Sequence, residues 1–147
     1  MMYHNIGDIV KKVISLGLLS LLLITGCTNK VTCTMKSSET GRKVDTTINI
    51  KFNNDKVKIV NEKIVFKFDK DYVNTIDTSY DDIKESFKQY ESEKGIDIDA
   101  SKEKDSIIVN IKIDPEKQKD STKNLIDVES SKEDLIADLT KEGYTCK

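Results

Sequence analysis

The stretch VDTTINIKFNNDKVKI, residues 44–59, decides the fold. Its first part, Val44–Phe52, alternates apolar or β-branched residues with polar ones, which is the two-residue period of a half-buried β-strand. Asn53–Asp55 follows, and these residue types tolerate left-handed backbone and favour a tight turn. The alternation resumes at Val57, so the stretch predicts a β-hairpin.

The same period continues along the chain. Ile64–Phe68 extends the returning strand after a shift near Asn61, where a bulge or a second turn is expected. Ile96–Asp99 alternates again, and Ile107–Ile113 is the clearest strand pattern in the chain. The polar segment Glu116–Lys123 predicts a loop.

A first helix is predicted over Tyr80–Lys94, where apolar residues recur at intervals of three and four. Ser79 is the candidate N-cap, and Asp81 and Asp82 complement the helix dipole. Gly95 can end the helix in a left-handed turn.

A second helix is predicted to begin at the capping box formed by Ser130 and Glu133 and to end at Gly143. Tyr144–Lys147 is then long enough for a short closing strand. The apolar stripe of this helix consists of Leu135, Ile136 and Leu139.

The predicted order is therefore strands, helix, strands, helix, strand. Neighbouring strands that alternate in this way favour an antiparallel sheet with one covered face. The expected fold class is α+β, with an antiparallel sheet, two helices packed on one face, and the first and last segments closed by a disulfide. A length of 147 residues fits one such domain.

Composition and charge exclude some partners. The chain carries 24 lysines and arginines against 26 acids, so there is no basic excess to bind phosphates. A nucleic-acid partner is therefore not expected.

The N-terminal residues 1–26 predict an export signal, with Lys11 and Lys12 before the largely apolar Val13–Thr25. The junction Ile24-Thr25-Gly26-Cys27 resembles the lipobox of bacterial lipoproteins, in which the cysteine receives a diacylglyceryl group before the signal is removed. The resemblance implies a lipidated Cys27, a short tether over residues 27–32 and a domain over residues 33–147. An ordinary signal peptide followed by a free cysteine is the alternative.

The other two cysteines are Cys33 and Cys146. In an exported protein an even pair is best interpreted as a disulfide, which here would join the two ends of the domain. Two separate buried thiols are the alternative. The chain's single histidine, His4, lies within the predicted signal, so no histidine-based catalytic site is expected in the mature chain, and no catalytic residue is assigned.

One segment resembles part of a calcium loop: Asp97, Asp99, Ser101 and Asp105 occupy ligand positions. However, Lys102 replaces the required glycine, and no glutamate stands at the twelfth place. A polar hairpin loop is the favoured interpretation, and no metal or cofactor is expected.

Two further sets of residues are candidates for chemistry. Acids around the first helix could act as paired carboxylates, although dipole compensation explains them more simply. Tyrosines could line a binding groove, although packing at the edge of the core is favoured. The acids are Asp77, Asp81, Asp82 and Glu85, and the tyrosines are Tyr72, Tyr80, Tyr90 and Tyr144.

The chain resembles the YehR-like family of small bacterial lipoproteins. The resemblance is carried by the lipobox, by VTCTMKSSETGRKVDTTINIKF at residues 31–52 and by EGYTCK at residues 142–147. It implies a lipid-anchored envelope protein, and it offers no catalytic residues.

The expected function is a non-catalytic binding or structural module on the extracytoplasmic side of the cell membrane. Its expected partners are the membrane, through the lipid anchor, and a membrane or envelope protein. The alternative is a carboxylate-dependent hydrolase acting on envelope glycans, which needs two acids in one cleft. A solute-binding receptor is a lesser possibility, because the chain is too short for the two-lobed kind.

Overall fold

The computed structural model describes residues 29–118 and 130–147. The predicted signal and lipidation site, and part of the predicted loop after Glu116, lie outside these ranges. The described strands are β1 (Lys30–Glu39), β2 (Arg42–Asn53), β3 (Lys56–Phe68), β4 (Ile96–Lys102), β5 (Ser106–Ile113) and β6 (Thr145–Cys146). The described α-helices are α1 (Ile76–Phe87) and α2 (Lys132–Lys141), and short 3-10 turns cover Lys70–Thr75 and Lys88–Tyr90.

The strands of the described ranges form one antiparallel sheet in the order β4-β5-β3-β2-β1-β6. Helix α1 packs over β4 and β5, while α2 packs against β6. The predicted fold class, an antiparallel sheet with two helices on one face, is confirmed.

The core lies between the helices and the sheet face that they cover, which we call the inner face. Alternate residues of each long strand point into it, as the sequence period requires. Helix α1 contributes Ile76, Ile83 and Phe87, and α2 contributes Leu139. The most deeply buried side chains in the described ranges are Ile50, Ile83, Ile107, Val60, Val109 and Cys33.

The hairpin predicted from residues 44–59 is present as β2 and β3. Asn54 and Asp55 adopt positive φ angles of 49° and 63°, which is the left-handed backbone that a two-residue hairpin turn requires. The predicted irregularity lies earlier than Asn61. Val57 pairs with Phe52 and Ile59 pairs with Lys51, so Lys58 is the extra residue of a bulge, and β3 then continues unbroken.

The first helix begins and ends earlier than predicted. It starts at Ile76, because Ile76 joins Ile83 and Phe87 in the core, so Ser79 is not its N-cap. After Phe87 the chain tightens into a 3-10 turn that buries Tyr90. Gly95 has a positive φ of 81°, but it lies in the turn before β4 rather than at the helix end.

The capping box of the second helix lies one residue later than predicted. Ser131 rather than Ser130 is the N-cap, and its Oγ accepts a hydrogen bond from the backbone N–H of Asp134 at 3.2 Å. The predicted helix end is correct, since Gly143 follows α2 with a φ of 99°.

The predicted disulfide between Cys33 and Cys146 is present. The two cysteines are paired directly across β1 and β6, and backbone hydrogen bonds in both directions join Thr32 and Lys147 beside them. The first and last segments of the domain are thus adjacent strands, linked covalently and by hydrogen bonds.

Strand β1 begins at Lys30, three residues before the predicted start of the domain at Cys33. Asn29 already takes part in the sheet, because its carbonyl accepts a hydrogen bond from the Phe52 N–H at 2.8 Å. Among the helices that the structure describes, none combines the length and apolarity needed to cross a membrane.

Two glycines with positive φ allow a matched stability test. A Cβ on Gly41 would lie 2.4 Å from the Tyr72 ring, whereas one on Gly143 would lie 3.9 Å from the Met35 sulfur, an ordinary van der Waals contact. Both substitutions place an L-residue in left-handed backbone, but only Gly41→Ala also forces the ring to move. We expect a loss of unfolding free energy of about 1 kcal/mol for Gly143→Ala and about 2 kcal/mol for Gly41→Ala, measured by urea denaturation. Equal losses of unfolding free energy in the two variants would show that the Tyr72 ring moves aside at no energetic cost.

Candidate binding face

The sheet face opposite the core, which we call the outer face, carries ordered rows of polar side chains. One row crosses five adjacent strands at a single register level. Because neighbouring strands lie about 4.8 Å apart, this row extends roughly 19 Å. Its members are Thr34 on β1, Thr47 on β2, Lys63 on β3, Asn110 on β5 and Asp99 on β4.

A second polar row lies beside the first, one step of the same face along the strands. It consists of Thr32, Asn49, Asn61, Lys112 and Asp97. Within it, the Thr32 hydroxyl donates a hydrogen bond to Asn49 Oδ1 at 2.8 Å. These side chains are fully or partly exposed, so they are available to a ligand.

Seven of the ten residues in these rows line a shallow groove of about 360 Å³ where β2, β3, β5 and β4 meet. Its side chains combine amides, two lysines and two aspartates, namely Asn49, Asn61, Asn110, Lys63, Lys112, Asp97 and Asp99. Amides both donate and accept hydrogen bonds, ammonium groups donate, and carboxylates accept. The groove can therefore bind a polar ligand that presents donors and acceptors along an extended surface.

The residues that resemble part of a calcium loop are not arranged as a loop. Asp97, Asp99 and Ser101 lie on the outer face of β4 at every second residue, and Asp105 lies in the turn beyond the strand. A calcium loop instead wraps its oxygen ligands around one ion. Within residues 29–118 and 130–147, no group of three histidine, cysteine, aspartate or glutamate residues is arranged to hold a metal.

The acids of the first helix and the aspartates of β4 fall on opposite sides of the sheet. Asp81 and Asp82 are exposed on α1, which covers the inner face, whereas Asp97 and Asp99 line the outer groove. Of these acids, the groove between β2, β3, β5 and β4 is lined by Asp97 and Asp99 and not by Asp81 or Asp82. Asp77, also on α1, forms an ion pair with Lys102 on β4, and its hydrogen bond raises the pKa of that lysine.

The tyrosines are dispersed, as core-edge packing predicts. Tyr90 and Tyr144 are buried, and Tyr72 is 40% exposed against the turn at Gly41. Tyr80 is partly buried, and its hydroxyl donates a hydrogen bond to the Ala100 carbonyl at 2.9 Å. This bond ties α1 to β4, the edge strand of the sheet.

Sequence reasoning missed one polar group on the inner face. Glu62 lies on β3 between Ile48 of β2 and Ile111 of β5, at a position where the alternation calls for an apolar residue. Burial raises its pKa from 4.5 to about 7. The signal was present in the sequence, because Glu62 stands in phase with Val60, Ile64 and Phe66.

The charge of Glu62 affects the pKa of Tyr144, which lies on the same face. Burial raises the pKa of the Tyr144 phenol above its ordinary value, and the charges of Glu62 and Glu142 add to the rise. A side-chain hydrogen bond with Thr46, itself buried, opposes that rise. A charged Glu62 therefore disfavours ionisation of the Tyr144 phenol inside the domain.

No family model matches the chain, and no curated protein matches it. Among solved structures, it is similar to a protein from Streptococcus pneumoniae TIGR4 determined by NMR, with a TM-score of 0.52 and 12% sequence identity. The match covers 90% of this chain and 96% of the pneumococcal one. At this identity the similarity supports the fold alone.

Proposed function

We propose that this chain is a membrane-anchored extracytoplasmic lipoprotein and acts as a non-catalytic binding module whose outer face holds an envelope component. The observation that carries the proposal is the pair of polar rows across five strands, which offers a broad surface for hydrogen bonding. The covered inner face supplies the core, so the outer face is available for binding.

Two features support the extracytoplasmic location. Disulfides persist mainly in oxidising compartments, and Cys33 and Cys146 are joined in one. Using both of these cysteines within the domain also leaves Cys27 as the thiol for lipidation, in agreement with the lipobox resemblance. Membership of the YehR-like lipoproteins belongs to the same proposal.

The short tether supports a partner in or close to the membrane. Only Thr28 and Asn29 separate Cys27 from β1, which begins at Lys30. A connection of this length spans at most about 10 Å. With Cys27 acylated, the domain is held against the headgroups and reaches partners at the membrane surface.

The distribution of acids supports a role in binding rather than hydrolysis. A glycosidase-type mechanism needs an acid and a second carboxylate on either side of one scissile bond. Glu62, the carboxyl with the raised pKa, lies on the inner face, while Asp97 and Asp99 line the outer groove.

Affinity capture from the native membrane tests this function. We expect the wild-type lipoprotein to retain an envelope component, and the double variant Asn61→Ala, Asn110→Ala to retain about tenfold less, because both amides lie in the groove. Asn74→Ala is the matched control, since Asn74 is an exposed amide in the 3-10 turn before α1.

A second control separates anchoring from recognition. Cys27→Ala removes the acylation site without touching the described domain. If this variant loses the partner while binding it in detergent extract, location contributes to the function. Equal capture by the groove variant and by wild type would contradict the proposal that the outer face is the binding surface.

A further inference from the structure

We propose that the tip of the β2–β3 hairpin, residues 51–58, docks onto the anionic phospholipid headgroups of the membrane to which the chain is anchored. This inference rests on the proposed lipid anchor. It goes further by assigning a second, electrostatic contact and an orientation to the domain.

The hairpin tip projects beyond its neighbours. The last residue of β5, Ile113, pairs with Val60, so β3 extends past β5 by the residues from Lys56 to Ile59. On the other side, the first residue of β1, Lys30, pairs with Lys51, so the turn also extends past β1. The turn residues of the β2–β3 hairpin therefore extend beyond the ends of the neighbouring strands β1 and β5.

The tip and its neighbour are rich in lysine. Lys30, Lys51, Lys56 and Lys58 are exposed, and none forms an ion pair with a described residue. Asp55 is the acid within the tip. Exposed lysines close to an anionic membrane surface are each attracted to it, and the attraction weakens with salt.

Helix α2 begins on the inner side of the same end. Lys132 Nζ lies 5.7 Å from the centre of the Phe52 ring, which is buried. The first turn of α2 also holds Glu133 and Asp134, and the Asp134 carboxylate accepts a hydrogen bond from the Ser131 hydroxyl at 2.8 Å. These acids belong to the helix on the inner side, whereas the tip itself carries three lysines, Lys51, Lys56 and Lys58, against one acid, Asp55.

The chain enters the sheet at this same end. Asn29 hydrogen-bonds to Phe52, and Cys27 is two residues before Asn29, a distance of at most about 7 Å. The turn at Asn54 is likewise two residues beyond Phe52. An acylated Cys27 therefore holds the lysine-bearing tip at headgroup level.

The opposite end of the sheet also exposes lysines, among them Lys67 and Lys70, but there exposed acids stand between and beside them. There the β1–β2 turn contains an ion pair between Arg42 and Glu39 at 2.6 Å, and Asp69 follows β3. Docking at the tip would set the strands upright on the membrane and would leave the outer groove open to one side.

Lysine labelling on vesicles tests the inference. The mature lipoprotein is reconstituted into vesicles of phosphatidylcholine alone or of phosphatidylcholine with phosphatidylglycerol, and an amine-reactive reagent is followed by mass spectrometry. We expect Lys51, Lys56 and Lys58 to react about fivefold more slowly on the anionic vesicles, and high salt to abolish the difference. Lys67 and Lys70, exposed at the opposite end, should react equally on both.

A charge-reversal pair provides the matched control. Lys56→Glu with Lys58→Glu should abolish the slower reaction of Lys51, whereas Lys67→Glu with Lys70→Glu should preserve it. Equal labelling of wild type on neutral and anionic vesicles would overturn the docking inference. Flotation of the vesicles reports the anchor separately, and a lipoprotein that fails to float with either kind would overturn the anchor and the docking together.

Discussion

Replacing Cys33 and Cys146 together by alanine should lower the free energy of unfolding by about 4 kcal/mol and the melting temperature by about 15 °C. The disulfide joins residues 113 positions apart, so it restricts almost the whole unfolded chain. Cys33 is also fully buried, so the loss of its sulfur removes packing from the core. Urea and thermal denaturation of the double variant against wild type measure both quantities.

Cys27→Ala is the matched control, since it removes a cysteine that takes no part in the domain disulfide. We expect its unfolding midpoint to equal that of wild type. Chemically reduced wild type should lose somewhat less stability than the double variant, because it loses the covalent link but keeps the buried sulfur of Cys33. A loss below about 1 kcal/mol in the double variant would mean that β1 and β6 remain paired in the unfolded ensemble without the covalent link.

Glu62→Gln should remove a pH dependence of stability. In the folded protein the pKa of Glu62 is about 7, against 4.5 as its ordinary value, so between these values the folded state binds more protons than the unfolded chain. Stability therefore falls as pH rises from about 4.5 to about 7, by at most about 3 kcal/mol, and the penalty persists above pH 7. Glutamine cannot ionise, so the variant should be more stable than wild type above pH 7. Its unfolding free energy should also change less with pH between about 4.5 and 7.

The measurement is the unfolding free energy at closely spaced pH values. His4, the chain's single histidine, lies outside the described domain, which simplifies the assignment. Glu91→Gln is the control, because Glu91 is exposed at the end of the 3-10 turn after α1, and it should leave the wild-type slope intact. A wild-type profile without a decline between pH 5 and about 7 would contradict a raised pKa at Glu62.

The sheet could be predicted because each strand is buried on one face. That condition forces a two-residue period, which Val44–Phe52 shows throughout and Ile107–Ile113 shows except at Ile108. The ends of the helices were harder to locate. Ser130 and Ser131 each have an acid three residues later, so composition alone does not distinguish the two capping boxes.

The outer groove could not be predicted, for a reason of topology. Its rows depend on which strands are neighbours, and β3 pairs with β5 across an intervening helix and strand. Period-two alternation assigns Lys63 and Asn110 to exposed faces, but it does not place them side by side. For Glu62 the sequence shows which face of β3 it shares, because it stands in phase with Val60 and Ile64. The sequence does not show that this carboxyl is buried.

The pairing of β1 also determines how the domain carries mechanical load. If Cys27 is anchored and a partner on the outer face is pulled away from the membrane, tension enters the domain lengthwise along β1. All ten residues of β1 pair with β2, so these contacts must shear together rather than open one after another. The Cys33–Cys146 bond adds a covalent link from the loaded strand to β6. If Cys27 is anchored, β1 would therefore pass the load to β2 along its whole length at once.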